Sequence, residues 1–196
     1  MKKIVAVICA FLTLFAICSC ESVLTPNDLA TSFGRLTAAN VGTITYVTEV
    51  KKDGVVTSLI TAVFKGSDRS VFTTEKKLNA DLIGKPYNET QTAETLTEAQ
   101  FNERIPVPNI FDSSLYDGEY VLEKIKDGDN VSITFKVKIA DDKIREFLDD
   151  GFSDEEIANI NSVRGEAYIY NDRPVSFKIT FVMYGADVTI TADFEY

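Results

Sequence analysis

Histidine and tryptophan are absent from this 196-residue chain, and its three cysteines, Cys9, Cys18 and Cys20, all fall within the first twenty positions. Without histidine the chain lacks the commonest general base, the commonest transition-metal ligand and the side chain that titrates near neutral pH. Without a thiol beyond residue 20, its globular part has no cysteine nucleophile and no disulfide. Serine and threonine are plentiful, but no Gly-x-Ser-x-Gly elbow occurs to activate one of them. These losses predict no catalytic residues, no cofactor and no metal, so the chain is not expected to be an enzyme. A carboxylate pair of the glycosidase type is the one catalytic arrangement that the composition leaves open. Basic residues are scarce too, with 20 Lys and Arg against 30 Asp and Glu. A surface that acidic repels phosphate backbones, which excludes nucleic acid as a partner.

What is present begins with the leader. Lys2-Lys3 precedes a mostly apolar run of 14 residues from Ile4 to Ile17, and Cys18-Ser19-Cys20 follows. A helix of that length spans about 21 Å, short of a hydrocarbon core of roughly 30 Å, so a permanent transmembrane helix is disfavoured. The order of charge, apolar run and small residue is that of an export signal. Cleavage before Cys20 places Ser19 at the cut, whereas cleavage before Cys18 would place bulky Ile17 there. The segment resembles a bacterial lipobox, with Ile17 where Leu is commonest and Cys18 where Ala or Ser is commoner. That resemblance implies a signal peptide over 1–19, a lipidated Cys20 with a tether over 20–25, and a single domain over 26–196. An ordinary secretory signal or an uncleaved anchor are the alternatives. Two or three acyl chains such as palmitate on Cys20 would hold the protein stably on a bilayer, since one chain alone binds only marginally. The expected location is a bacterial membrane, either the cell membrane or the outer membrane. Loss of Lys2 and Lys3 with the leader leaves 18 basic residues against 30 acidic ones over 177 residues, a formal charge of −12. A chain of that size can bury a core without covalent staples.

Thr25-Pro26 opens the domain as an N-cap followed by proline, and Leu29, Phe33 and Leu36 continue at helical spacing to an end at Asn40 and Gly42. The period then changes to two. Ile44, Tyr46 and Val50 start a strand, Asp53-Gly54 turns it, and strands are predicted over 55–65 and 71–78. The stretch Asn79 to Leu115 reads as irregular, with Gly84-Lys85-Pro86, a short helix around Thr97 to Arg104, and Pro106-Val107-Pro108. Stretches of this length and kind are often lids or binding loops. Two strands flank Lys126 to Asn130; in the second, Val131, Ile133, Phe135, Val137 and Ile139 share one face. Two short helices follow. Gly151 ends the first, and Ser153 with Glu156 forms a capping box for the next. Three strands close the chain, over 163–170, 175–184 and 188–196.

The tally is about eight antiparallel strands, each apolar on one side, with three or four short helices that carry apolar stripes of their own. Such strands exclude a doubly wound parallel sheet and favour a single curved sheet with helices on its apolar face. The fold class is therefore α+β, mainly β: an unclosed half-barrel with an N-terminal helix. The element order, and most of all Val163 to Tyr170 with the hairpin after it, resembles the outer-membrane lipoprotein carriers LolA and LolB and the LppX/LprG-type envelope lipoproteins. By analogy the resemblance implies binding of an acyl chain or a lipidated protein in an apolar cavity. It supplies no site residue.

Three groups of residues have competing readings. Asp149, Asp150, Asp154, Glu155 and Glu156 form the densest acidic cluster, but carboxylates suit the first turn of a helix better than an unsupported calcium site. Asp127-Gly128-Asp129-Asn130 begins like a calcium loop, yet Lys138 stands where the twelfth-position glutamate belongs, and a turn is the better account. Phe135, Phe177, Phe181, Phe194 and Tyr196 alternate along strands, as core residues do, though they would equally line a pocket. Two functions fit. One is a non-catalytic envelope lipoprotein that binds an apolar ligand, lipid or lipidated protein, between the sheet and the 79–115 stretch. The other is a surface structural or protein-interaction lipoprotein whose apolar face is fully packed. A cavity of several hundred cubic ångströms distinguishes them.

Overall fold

A computed structural model describes residues 24–78, 86–148 and 152–196. The leader, Cys20, Asn79, Gly84-Lys85, Asp149, Asp150 and Gly151 lie outside the described residues. The chain runs α1 (Pro26–Gly34), β1 (Thr43–Lys52), β2 (Val55–Lys65), β3 (Ser70–Leu78), β4 (Pro86–Thr95) and α2 (Glu98–Arg104). A 3-10 turn at Ser113–Leu115 precedes β5 (Val121–Asp127) and β6 (Asn130–Lys138), and a second at Asp141–Lys143 leads into α3 (Ile144–Leu148). Then come α4 (Asp154–Ala158), β7 (Ile160–Tyr170), β8 (Arg173–Met183) and β9 (Ala186–Glu195).

Helices α1, α2 and α4 start where their local chemistry provides a cap. Asp28 accepts hydrogen bonds from the Thr25 amide at 2.8 Å and the Thr25 hydroxyl at 2.7 Å, and Pro26 supplies the first helical residue. Thr97 with Gln100, and Ser153 with Glu156, form reciprocal capping boxes on α2 and α4. The first helix stops at Gly34, earlier than the Asn40-Gly42 end expected from spacing. Asn40 instead closes the loop behind it, donating to the Arg35 carbonyl at 2.7 Å and accepting from the Thr37 amide at 2.8 Å. Between β1 and β2 the turn places Asp53 at φ 52° and Gly54 at φ 78°. Positive φ at both positions is the geometry that an Asp-Gly hairpin supplies.

All nine strands form one antiparallel sheet in the order β4-β3-β2-β1-β9-β8-β7-β6-β5. The two edge strands, β4 and β5, do not pair with each other, so the sheet is an unclosed half-barrel of the expected class. The count is one higher than the sequence suggested. The extra strand is β4, which lies in the stretch taken as irregular and pairs with β3 from Ser70 opposite Thr95 to Leu78 opposite Pro86. Its described side chains from Asn88 to Thr95 are all exposed. A strand that buries neither face carries no alternation, which is why its sequence did not announce it.

The inner face carries the core. Ile44 sits opposite Phe64 on one side and Phe194 on the other, and Phe177 pairs with Ala192 and Ala167. Ile133, Phe135, Val137 and Ile139 are buried, and lysines 136 and 138 between them are exposed. Across this face lies α1, with Leu29 and Phe33 buried. The Phe33 ring is 5.3 Å from Phe111, 6.3 Å from Phe177 and 5.7 Å from Phe194, at the tilted or edge-on angles that aromatic quadrupoles favour. No buried side-chain polar atom among the described residues lacks a hydrogen-bond partner.

Hydrogen bonds from nearby hydroxyls and amides hold Asp28, Asp68 and Asp112 below the ordinary aspartate value of 3.8, and Glu156 below 4.5. A carboxyl depressed in the folded state contributes stability above its unfolded value and loses that contribution as pH falls through the folded one. Thermal melts should therefore show a midpoint that is level from pH 7 to about pH 5 and falls steadily below about pH 4, through these carboxyl values. Asp112→Asn and Glu156→Gln together should flatten that acid limb and lower the midpoint at pH 7.

Candidate functional site

A cleft of about 560 Å³ opens on the inner face between the sheet and the segment that follows α2. Its floor is Tyr46 of β1, Phe177 and Ile179 of β8, and Ile190 of β9. Register explains the grouping: Ile190 pairs with Ile179 and stands opposite Thr48, and Tyr46 and Phe177 flank Ala192. Pro106, Val107, Pro108 and Asn109 form the roof. Phe147 and Leu148 of α3, with Phe152 beyond it, make the end wall.

The roof is held rigidly from both sides. Prolines at 106 and 108 fix their own φ angles. Immediately after them, Ile110 and Leu115 are completely buried, and the Phe111 ring packs 5.4 Å from that of Phe135. The Tyr116 hydroxyl donates to the Ile110 carbonyl at 2.9 Å. On the α2 side, Asn102 accepts from the Ala38 amide at 2.8 Å, tying that helix to the loop behind α1. Ile110 sits directly over Gly165 of β7. A β-carbon built there would lie 2.5 Å from Ile110 Cγ2 and 3.0 Å from Ile110 Cβ. Only glycine lets the roof come down this far.

Most side chains that line the cleft are apolar, while polar atoms make up about half of its exposed surface. Glu146 is its only charged lining residue among those described, and it sits at the mouth with Lys143 3.1 Å away. That pairing raises the Lys143 ammonium above its ordinary value. Tyr46 is the one ionisable group of the floor, and burial pushes its phenol up. Among the described residues no group of side chains that could hold a metal ion is found. Further along β1 and β2, Thr48, Val50, Ile60 and Ala62 are only half-buried, whereas Ile44 and Phe64 at the other end are buried. The inner face is thus packed shut at one end and left open toward the other.

The residues singled out from sequence fall elsewhere or serve the core. Cys20 lies outside the described residues. Asp154, Glu155 and Glu156 occupy the first turn of α4, where Asp154 pairs with Arg145 and Glu156 serves the capping box. Asp127 and Asn130 face each other across a tight hairpin turn. Phe135, Phe181 and Phe194 are buried in the core, and Tyr196 is exposed. Phe177 is the exception, since it is a core residue that also contributes to the cleft floor. The signal that pointed to the roof was Pro106-Val107-Pro108, a stiff apolar segment in a polar stretch. Nothing in the sequence marked Tyr46, Ile190 or Phe152, which are ordinary apolar positions until the fold gathers them.

No protein-family model matches the chain, and no curated protein matches it in sequence. Among solved structures it is similar to the Mycobacterium tuberculosis lipoprotein LppX, at 12% identity and a TM-score of 0.41, over 87% of this chain and 94% of that one. No described helix is long and apolar enough to cross a membrane.

Gly165→Ala should destabilise the domain by about 1–3 kcal/mol, the usual cost of overpacking. The same change in an Ile110→Ala background should cost much less, because the clash partner is gone. Urea titrations of the four proteins check this, and equal costs in both backgrounds would show that Ile110 does not rest on Gly165.

Proposed function

We propose that this chain is a non-catalytic lipoprotein of the bacterial envelope, anchored through acyl chains on Cys20, that binds an apolar ligand in the inner-face cleft. The ligand class is an acyl chain, carried by a lipid or by a lipidated protein. The observation that carries this reading is the cleft itself: an apolar floor on the sheet, a fixed proline-rich roof, and a volume of about 560 Å³. That volume lies within the roughly 300–1,000 Å³ of small-molecule pockets. A domain whose apolar face served only as core would be expected to fill this space. Burial of eight methylenes there would contribute roughly 6 kcal/mol before the costs of association. The leader supports the anchor, and a tether over 20–25 ahead of a single domain over 26–196 would keep the cleft close to a bilayer.

Native mass spectrometry of the protein purified from a bacterial host should find co-purified lipid released on denaturation. Ile190→Trp, which fills the floor, should abolish that adduct and weaken binding of a fluorescent fatty acid by at least ~10-fold, about 1.4 kcal/mol. Wild-type protein that carries no adduct and does not bind the fatty acid would overturn the ligand reading. The anchor has a separate check. Wild type should fractionate with membranes and incorporate labelled palmitate, and Cys20→Ala should do neither. Label on the variant, or membrane association equal to wild type, would remove Cys20 from its assigned role.

A further inference from the structure

A second basin, of about 570 Å³, lies at the opposite end of α1 from its N-cap. Arg35 borders it from the helix end, and Arg173 and Pro174 border it from the β7–β8 hairpin. Leu36, Val41 and Tyr196 supply apolar walls. It is separate from the cleft. Tyr196 and Ile190 lie six residues apart along β9 and just beyond it, about 20 Å in extended chain. The interlocked rings of Phe33, Phe177 and Phe194 stand between them, with Phe177 and Phe194 6.1 Å apart.

Both basic walls are built rather than loose. Asn40 holds the loop behind Arg35 through the two hydrogen bonds described above. On the other side, Asn171 accepts from the Val131 amide at 2.8 Å and donates to the Asn130 side chain at 3.0 Å, which fastens the turn leading into Arg173. The Arg173 guanidinium lies 5.2 Å from the Tyr196 ring centroid, and the Tyr196 hydroxyl donates to the Pro174 carbonyl at 2.7 Å. Arg104 and Arg145 pair with Glu94 and Asp154. Neither Arg35 nor Arg173 has a carboxylate partner among the described residues, although Asp172 borders the same basin. With two guanidinium groups against the single Asp172 carboxylate, the basin's side chains carry a small positive excess in a chain that is acidic overall.

We propose that this basin binds a phosphate monoester carried on an apolar body. Two guanidinium groups bordering one hollow can address several oxygens of a phosphate, where a carboxylate offers only two. The ring of Tyr196 with Leu36, Val41 and Pro174 would cover the adjoining apolar part. Asp172 opposes the anion, and its neutralisation should tighten binding. The phosphate can come from a phospholipid headgroup or from a free phosphate ester. This site is independent of the acyl-chain cleft, so either can fail alone.

Isothermal titration calorimetry on the full chain in a neutral detergent tests it with three probes: inorganic phosphate, dihexanoyl phosphatidic acid and dihexanoyl phosphatidylcholine. The expected result is saturable single-site binding of phosphatidic acid and none of phosphatidylcholine. Arg35→Gln and Arg173→Gln should each weaken it roughly tenfold, the loss of one charge-assisted contact. Asp172→Asn should strengthen it severalfold with the fold unchanged by circular dichroism. Phosphatidic acid bound more tightly than inorganic phosphate supports an apolar body beside the phosphate, and equal affinities would overturn that part of the proposal. Saturable binding of neither anion, or binding insensitive to both arginine changes and to Asp172→Asn, would overturn the proposal.

Discussion

A sheet with one apolar face has to keep that face from water. Nine strands at about 4.8 Å spacing make a surface roughly 43 Å wide, while α1, α2 and the 105–115 segment are short. Coverage is therefore concentrated where the rings gather. Phe33 inserts against Phe111, Phe177 and Phe194, and Ile110 comes down on Gly165. Away from this centre the lining grows shallower, and Tyr46, Val50, Ala62 and Ile190 are only partly buried. The cleft is the geometric remainder of a wide face under a narrow cover. Its apolar chemistry comes from residues that would otherwise be core.

This origin explains why the two hollows differ. The cleft takes its floor from the inner face of the sheet, and Glu146 is its one charged lining residue among those described. The basin behind α1 sits where strands and helix end, with Arg35, Asp172 and Arg173 exposed and Leu36 and Val41 buried. Ends of elements are where arginines can be placed without desolvation, and where loop side chains such as Asn40 and Asn171 set backbone geometry.

The second half of the sheet was legible because β6 to β9 bury one face. The alternation of β6, the Asp53-Gly54 hairpin and the Ser153 capping box each encode their structure within ten residues, and all are present. Two features were not local. Strand β4 has threonine, glutamate and glutamine on both faces and is defined by pairing with β3 rather than by burial. The cleft floor comes from positions 46, 177, 179 and 190, which only the β1–β9 and β8–β9 registers bring together. The α1 terminus was misplaced because Leu36 keeps the helical spacing although the backbone has already turned at Arg35.

The pairing of β1 with β9 joins the earliest strand to the latest across nine matched positions, from Thr43 opposite Glu195 to Lys51 opposite Asp187. A ribosome delivering this polypeptide from its amino end makes β1 to β4 as one meander and β5 to β8 as another. Neither can adopt its final surroundings while the closing strand is still being synthesised. Until then β1 has a raw flank and the Phe33 ring has no Phe194 to rest on. The sheet is complete only once Ala186–Glu195 has paired with β1 and β8, so a change that removes this strand leaves both of them with an open flank.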